Sequence, residues 1–248
     1  MKQFRADLHV HTVLSPCAEV EMIPPLIVQA ALEKGIDLIA ITDHNASANV
    51  AAVQKAAERT SLTVLPGMEV QSREEVHLLT LFETLDQLQA WQAEVDRSLP
   101  DLSNQPEYFG EQFVVDETGE FLQNETRLLL TSTSFTIDEI FGRVKALGGI
   151  VIPAHVDRFS YGLFPTLGLI SENWQPPALE ISRQISPEQA GTTFPATRNY
   201  KLIQSGDVHR LDDFLGTTIF TIVSPTLLEL SMAFHHLGER DVCIELEK

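Results

Sequence analysis

The sequence predicts a parallel β/α architecture, and three observations carry that expectation. Seven short, nearly continuous apolar runs read as strands buried on both faces. Segments of helical period separate most of them. Polar and titratable residues collect where these runs end, which is where β/α barrels and open α/β sheets build their sites. Periodicity alone leaves an open sheet and a closed barrel both available, and seven strands is one fewer than the common barrel has.

The elements follow in order. "FRADLHV" is the first strand and runs out at His9 and His11. In "EMIPPLIVQAALEKG", Pro24 and Pro25 favour a helix start and Gly35 a stop. "IDLIAIT" is a buried strand ending at Asp43 and His44, and "NVAAVQKAAERT" a helix. "LTVLPGME" delivers Glu69, and "EVHLLTLF" is the strand that carries His77. "ETLDQLQAWQAEVDRSL" is strongly periodic and helical. A polar insertion around 100–127 interrupts the pattern, and its "VVDETGEFL" reads as a hairpin turning at Thr118 and Gly119. "IDEIFGRVKALGG" is a helix feeding the strand "IVIPAHV", after which a loop-rich stretch carries Tyr161, Phe164 and Trp174. "ALEISRQ" is a short strand, "YKLIQSGDVHR" holds the last one, and "PTLLELSMAFHHLG" is a late helix. Residues 1–248 therefore read as one domain.

Composition narrows the function. Seventeen Lys and Arg against 35 Asp and Glu give a net charge of −18, a field that opposes long duplex nucleic acid. Two cysteines, Cys17 and Cys243, make no disulfide framework. The amino terminus lacks the apolar core of a signal peptide, and no run is long enough to span a membrane, so the expected setting is the reducing cytoplasm. Nothing in the composition speaks against self-association.

Six of the eight histidines stand at the ends of strand-like runs: His9, His11, His44, His77, His155 and His209. His9 and His11 are two apart in a strand and so share a face, with Asp7 expected on that face one step deeper. Asp207 with His209, and His155 with Asp157, repeat the two-residue spacing. Imidazoles and carboxylates convergent in this way suit a metal site, and Glu69 is the best carboxylate to bridge two ions. The bland alternative for each histidine is a buried ring satisfied by a backbone carbonyl. His235 and His236 lie in the late helix and read as surface or packing residues, and Cys243 as core or edge packing.

The segments "DLHVHT", "AITDHN", "PGMEV", "EVHLL", "IPAHVD" and "SGDVH", in this order across essentially the whole chain, closely resemble the PHP (polymerase and histidinol phosphatase) family. That resemblance implies a distorted seven-stranded β/α barrel with two or three divalent ions at the strands' carboxyl ends. It implies His9, His11, Glu69 and Asp207 around one ion, Glu69, His77 and His155 around a second, and Cys17, His44 and His209 around a third. It also implies phosphoester hydrolysis by metal-activated water, with zinc or manganese favoured and iron admissible. The chain departs from the family at Cys17, where many members have histidine, and in "SGDVH", where "SSDAH"-like endings are usual. Cys17 either ligates as a thiolate, which favours a soft-tolerant metal such as zinc, or packs its loop.

Around that centre, Arg158 is the first candidate to grip a phosphate, with Arg183 and Arg198 behind it. Asp43 and Asp157 are candidates to orient imidazoles or accept a proton. Tyr161, Phe164 and Trp174 either bury their loop or line a pocket for a flat ring. The insertion is a lid, a dimer contact or a barrel cover. The expected substrate is a small phosphorylated metabolite, a nucleotide or a short oligonucleotide end. The competing functions are metal-dependent hydrolysis of a non-phosphate substrate and a non-catalytic metal-binding regulatory role.

Overall fold

The structure is a computed structural model that describes residues 1–245. Eleven strands run in chain order: β1 (Lys2–Val10), β2 (Leu38–Ile41), β3 (Thr63–Gln71), β4 (His77–Leu81), β5 (Phe113–Val115), β6 (Phe121–Asn124), β7 (Ile150–Pro153), β8 (Ala178–Ile181), β9 (Lys201–Gln204), β10 (Thr218–Ile222) and β11 (Asp241–Ile244). The helices are α1 (Pro24–Glu33), α2 (Val50–Ala57), α3 (Leu85–Ser98), α4 (Pro106–Phe109), α5 (Ile137–Ala146), α6 (Leu163–Leu167), α7 (Pro187–Thr193) and α8 (Leu227–Phe234). The five helices expected from sequence are α1, α2, α3, α5 and α8. Prolines open α1, and Thr84–Gln87 and Thr136–Glu139 capping boxes start α3 and α5.

A seven-stranded sheet of order β11-β10-β1-β2-β3-β4-β7 curls around the core, beside two-stranded sheets β5-β6 and β8-β9. The seven strands expected from sequence (β1, β2, β3, β4, β7, β8 and β9) close into a ring at one end. Val156 N–H donates to Glu180 O (2.8 Å), joining β7 to β8, and Val208 N–H donates to His9 O (2.9 Å), joining β9 to β1. This is the distorted barrel expected. β10 and β11 were not foreseen; they extend β1 antiparallel on its other edge.

The sheet is mixed rather than parallel. Among the described residues, β1-β2, β2-β3 and β8-β9 pair in parallel, and β3-β4 and β4-β7 are antiparallel. The reason is the connection between β3 and β4. It is a tight turn in which Ser72 N–H donates to Val76 O (2.9 Å) and Glu75 has φ 63°, with no room for a crossover helix. β4 is therefore reversed, and His77 reaches the site from the strand's start, not its carboxyl end.

A β-bulge decides what faces the barrel interior. Asp7 pairs with Ile39 and Val10 with Ile41, so β1 carries one extra residue between them. Ile39 and Ile41 share a face, so Asp7 and Val10 share it as well, and His9 and His11 point to the other. Asp7 is thus not on the histidine face, correcting the simple alternation. Its carboxylate accepts from Gly206 N–H (3.0 Å) and Leu215 N–H (3.0 Å) instead. Pro66 lies beside Ile41 in β3, so Glu69, three residues on, turns to the histidine face.

The insertion forms the β5-β6 hairpin, turning at Asp116–Glu120 with Gly119 at φ 88°. It braces the loop that follows β1. Phe113 N–H donates to Val13 O (2.9 Å), and the Asn49 side chain holds Phe113 O and Val115 N–H, each at 3.0 Å. Among the described residues, no helix is long and apolar enough to cross a membrane.

Candidate metal centre

One buried carboxylate stands at the middle of the barrel's open end. Glu69, 1% exposed, has Oε1 at 2.8 Å from His77 Nδ1 and at 3.2 Å from both His9 Nε2 and His155 Nε2. Its Oε2 lies 2.9 Å from His44 Nδ1 and 3.5 Å from His11 Nε2. Five imidazoles from three strand ends and the β7 loop thus share one acid. Asp207 Oδ1 joins them at 3.3 Å from His9 Nε2 and 3.4 Å from His11 Nε2. Burial alone would raise the Glu69 pKa; His77, His9 and His44 outweigh it and hold the carboxyl well below its usual range. Asp207 is likewise held well down: burial raises it, and His9 and His11 outweigh that.

The outer hydrogen bonds aim the rings. His9 Nδ1 lies 2.9 Å from Glu180 Oε2, an acceptor only, so Nδ1 carries a proton and the neutral ring turns its Nε2 lone pair inward. His11 is set by a relay. Ser15 Oγ–H donates to Asp43 Oδ1 (2.7 Å) and therefore accepts from His11 Nδ1–H (2.9 Å), leaving His11 Nε2 as a lone pair. Gln71 Nε2–H donates to Ser132 Oγ (2.8 Å), so its Oε1 faces His77 Nε2. His209 Nδ1 donates to Asp207 O (2.8 Å), which leaves Nε2 facing Cys17 Sγ at 3.1 Å.

These inward groups fit a cation. His9 Nε2, His11 Nε2 and Glu69 Oε2 are buried without a hydrogen-bond partner, a costly arrangement in an apolar core. Three ligand sets have donor atoms within 4.8 Å of one another: His9, His11 and Glu69; His44, Glu69 and His77; and His11, His44 and His209. Neutral imidazoles with carboxylates are the donors of divalent transition-metal sites. His44 belongs to two of these sets, where the resemblance assigned it to the third ion alone.

Cys17 is exposed, but its thiol sits against His209 and His44. Burial would raise its pKa; His44 and His209 outweigh that and bring it down to about 6. His155 and Asp207 hold positive-φ backbones, φ 29° and 50°, which non-glycine residues adopt uncommonly.

Beside Asp207 opens a cleft of about 210 Å³ lined by His155, Arg158, Glu180, Ser182, Arg183 and Asp207. Arg158 Nη1 is hydrogen-bonded to Asp207 Oδ2, and Arg183 Nη1 lies 2.9 Å from Asp213 Oδ1. Other expectations do not reach the centre. Arg198 packs over Gly191 and belongs to a separate surface depression with Tyr200 and Lys201, because its turn lies at the start of β9, away from the site. Both Asp157 oxygens hold Ser182, accepting from its N–H (2.7 Å) and Oγ–H (2.6 Å), so Asp157 shapes the cleft wall and orients no imidazole. Of the aromatic set, Tyr161 stacks on His77 at 4.4 Å and 4°; Phe164 stacks on Phe194 and Trp174 on Phe141 elsewhere.

Sequence reasoning missed Glu180. It accepts from both His9 Nδ1–H and His155 N–H (3.0 Å), tying two candidate ligands to β8. Its signal in the sequence was a lone acid in the apolar run "ALEIS", and the structure leaves that residue 1% exposed. Glu180→Gln is expected to weaken metal affinity by about 10–100-fold, as loss of an imidazole's outer partner does. A chelator-competition titration measures it, and unchanged affinity would assign Glu180 to packing.

Fold and site together define a mixed α/β protein with a buried histidine and carboxylate centre suited to divalent metals. The chain belongs to the PHP domain family, which matches residues 7–159. Among solved structures it is similar to the lesion-specific endonuclease Endonuclease Q from Pyrococcus furiosus, at TM-score 0.72 and 18% identity. That match covers 97% of this chain and 58% of the other, so the chain spans little more than half of Endonuclease Q. A second Endonuclease Q structure holds a 27-mer duplex substrate with an abasic lesion at the active site. A protein assigned as a metal-dependent phosphoesterase from Bifidobacterium adolescentis is similar at TM-score 0.56 and 19% identity, covering 83% of this chain and 87% of that one. An amidohydrolase from Chromobacterium violaceum with bound sulfate is similar at TM-score 0.56 and 18% identity, covering 86% and 90%. A search of curated proteins finds no match.

Proposed function

We propose that the protein hydrolyses a phosphoester at this centre with the help of two or three divalent ions. The observation that carries the reading is Glu69, whose two oxygens face different imidazole sets, Oε1 toward His9, His77 and His155 and Oε2 toward His11 and His44. His9, His11, Glu69 and Asp207 would hold one ion, with His44, His77 and His155 completing a second around Glu69. Cys17, His209 and His44 would hold a third, and a thiolate there favours zinc; manganese and iron suit the all-nitrogen and oxygen sites. Bound ions would supply an activated water and neutralise charge growing on the phosphoryl oxygens.

The chain's own residues supply the rest. Asp43 through Ser15, and Glu180 directly, keep His11 and His9 in the tautomer that presents Nε2. Arg158 hands its guanidinium from Asp207 to a phosphate in the cleft, and the exchange leaves the Asp207 carboxylate free to turn toward the centre. Asp157 keeps the Ser182 wall in place. Among the described residues no lysine stands at the centre, which favours phosphorus over carbonyl carbon as the target.

The duplex exclusion drawn from net charge loses its force. Endonuclease Q, similar in fold, takes duplex DNA at its active site, so a strand end belongs with nucleotides and phosphorylated metabolites as a candidate substrate. The expected setting remains a reducing one, in keeping with the free thiols of Cys17 and Cys243.

The test is turnover with manganese or zinc of an aryl phosphate, a nucleotide panel, an abasic duplex and an amide panel, by wild type and Arg158→Ala. Phosphoester turnover that falls about 10–100-fold in the variant, as loss of a charge-assisted contact worth about 1.5–3 kcal/mol entails, supports the reading. Amide turnover without phosphoester turnover would favour the non-phosphate hydrolase, and metal binding without any turnover the regulatory role.

A further inference from the structure

Three rings of the centre are held from outside by a short hydrogen bond, and His77 is not. His9 Nδ1 sits 2.9 Å from Glu180 Oε2, His11 Nδ1 2.9 Å from Ser15 Oγ and His209 Nδ1 2.8 Å from Asp207 O. The outer nitrogen of His77, Nε2, lies 3.4 Å from Gln71 Oε1, longer than the usual hydrogen-bond range. A contact of another kind stands over this ring. Tyr161 covers it face to face, with centroids 4.4 Å apart and planes 4° from parallel. The backbone brings the two together. His77 N–H donates to Tyr161 O (3.0 Å) and Ala154 N–H donates to His77 O (3.0 Å), so the loop after β7 brackets the first residue of β4. That loop also carries His155. One segment therefore supplies one candidate ligand of the second ion and covers another.

Tyr161 takes this place against a backbone cost. Its φ is 62°, in the left-handed region that a tyrosine seldom adopts. Gly162 follows it, where a Cβ would fall 2.1 Å from Arg158 O. The tyrosine remains 42% exposed, so burial alone is a weak reason for it. What the strained turn achieves is the stack. We infer that Tyr161 is a positioning residue for the second ion, its ring rather than its hydroxyl holding His77 with Nδ1 turned to Glu69. The inference rests on the reading of Glu69, His77 and His155 as ligands of that ion. The stack sets the plane of the His77 ring, and the Glu69 Oε1 contact at 2.8 Å sets which edge faces inward. A face contact thus does for His77 what the Glu180 carboxylate does for His9.

The experiment titrates the chelator-stripped full chain with manganese and follows the paramagnetic resonance signal of the free ion, which needs no turnover. Wild type is expected to bind at least two ions. Tyr161→Leu, apolar but not flat, should weaken one of them about tenfold, the size that an aromatic pair contributes, and leave the other within about twofold. Tyr161→Phe keeps the flat ring and should match wild type. Both variants carry the same backbone strain, so the difference between them reads the side chain alone. No change in Tyr161→Leu, an equal loss in Tyr161→Phe, or equal weakening of every ion overturns the inference. If wild type binds fewer than two ions, the two-ion reading fails by itself. The ¹H–¹⁵N resonances of the His77 ring, identified by their loss in His77→Gln, then decide whether Tyr161 positions that ring. Broadening in Tyr161→Leu but not in Tyr161→Phe supports it, and any other pattern overturns it.

Discussion

Glu69→Gln is expected to lower kcat/KM on whichever substrate is accepted by about 10³-fold, while the fold survives. The magnitude follows from what the carboxylate does. One acid faces five imidazoles, and its two oxygens divide them into two sets. An amide keeps the shape but replaces one anionic oxygen by an N–H donor, which points a proton at lone pairs that need a cation. The metal contribution to such a reaction is several kcal/mol, and about 4 kcal/mol corresponds to 10³-fold. The substitution is isosteric inside a strand whose backbone pairing with β4 does not involve the side chain, so circular dichroism and urea unfolding should remain two-state and close to wild type. Metal analysis of the purified variant should show fewer ions per chain. Turnover near the wild-type value would remove Glu69 from the reaction and with it the shared centre.

What the residues disclosed in advance, and what they did not, divides along a physical line. The ring of strands and the histidine set were legible because both depend on local pattern. Buried strands write themselves as apolar runs, and His9, His11, His44 and His155 stand at their ends. Long-range pairing was not legible in the same way. β4 looked like one more parallel strand until its tight turn after β3 showed that it must reverse, and β10 was overlooked though "TIFTI" is as apolar as the others. The bulge in β1 was invisible because its evidence is a pairing register, which exists only between strands, and so Asp7 was placed on the wrong face. Glu180 escaped for a related reason. An acid in an apolar strand has meaning only once its partners, His9 and the His155 backbone, are brought beside it by folding. Arg198 erred the other way, since proximity in sequence to β9 did not carry it to the site.

Loading with metal is expected to stabilise the fold by about 2.7–4.1 kcal/mol per ion at 100–1,000 times the dissociation constant. For a chain of this size that raises the melting temperature by roughly 5–15 °C. The source is the set of inward atoms that the protein alone leaves unmatched: His9 Nε2, His11 Nε2 and Glu69 Oε2. Unfolding would return them to water, so a cation that satisfies them binds the native state alone. The gain should depend on pH with a definite sign. Burial depresses His77 to about 4 against the pull of Glu69, so this ring is neutral and ready to ligate. His9 and His44 go the other way: burial lowers them, but Glu180 and Glu69 for His9, and Glu69 and Cys17 for His44, raise them well above the usual value. Protons compete with the ion at these two, so loading releases them and is favoured as pH rises. Differential scanning fluorimetry with manganese or zinc, from about pH 5.5 to about pH 8 across the histidine range, should show a shift that grows with pH. Glu69→Gln should show little shift at any pH. A melting temperature indifferent to metal and chelator throughout that range would mean that the buried nitrogens meet without an ion to share, and the centre would lose its chemical purpose.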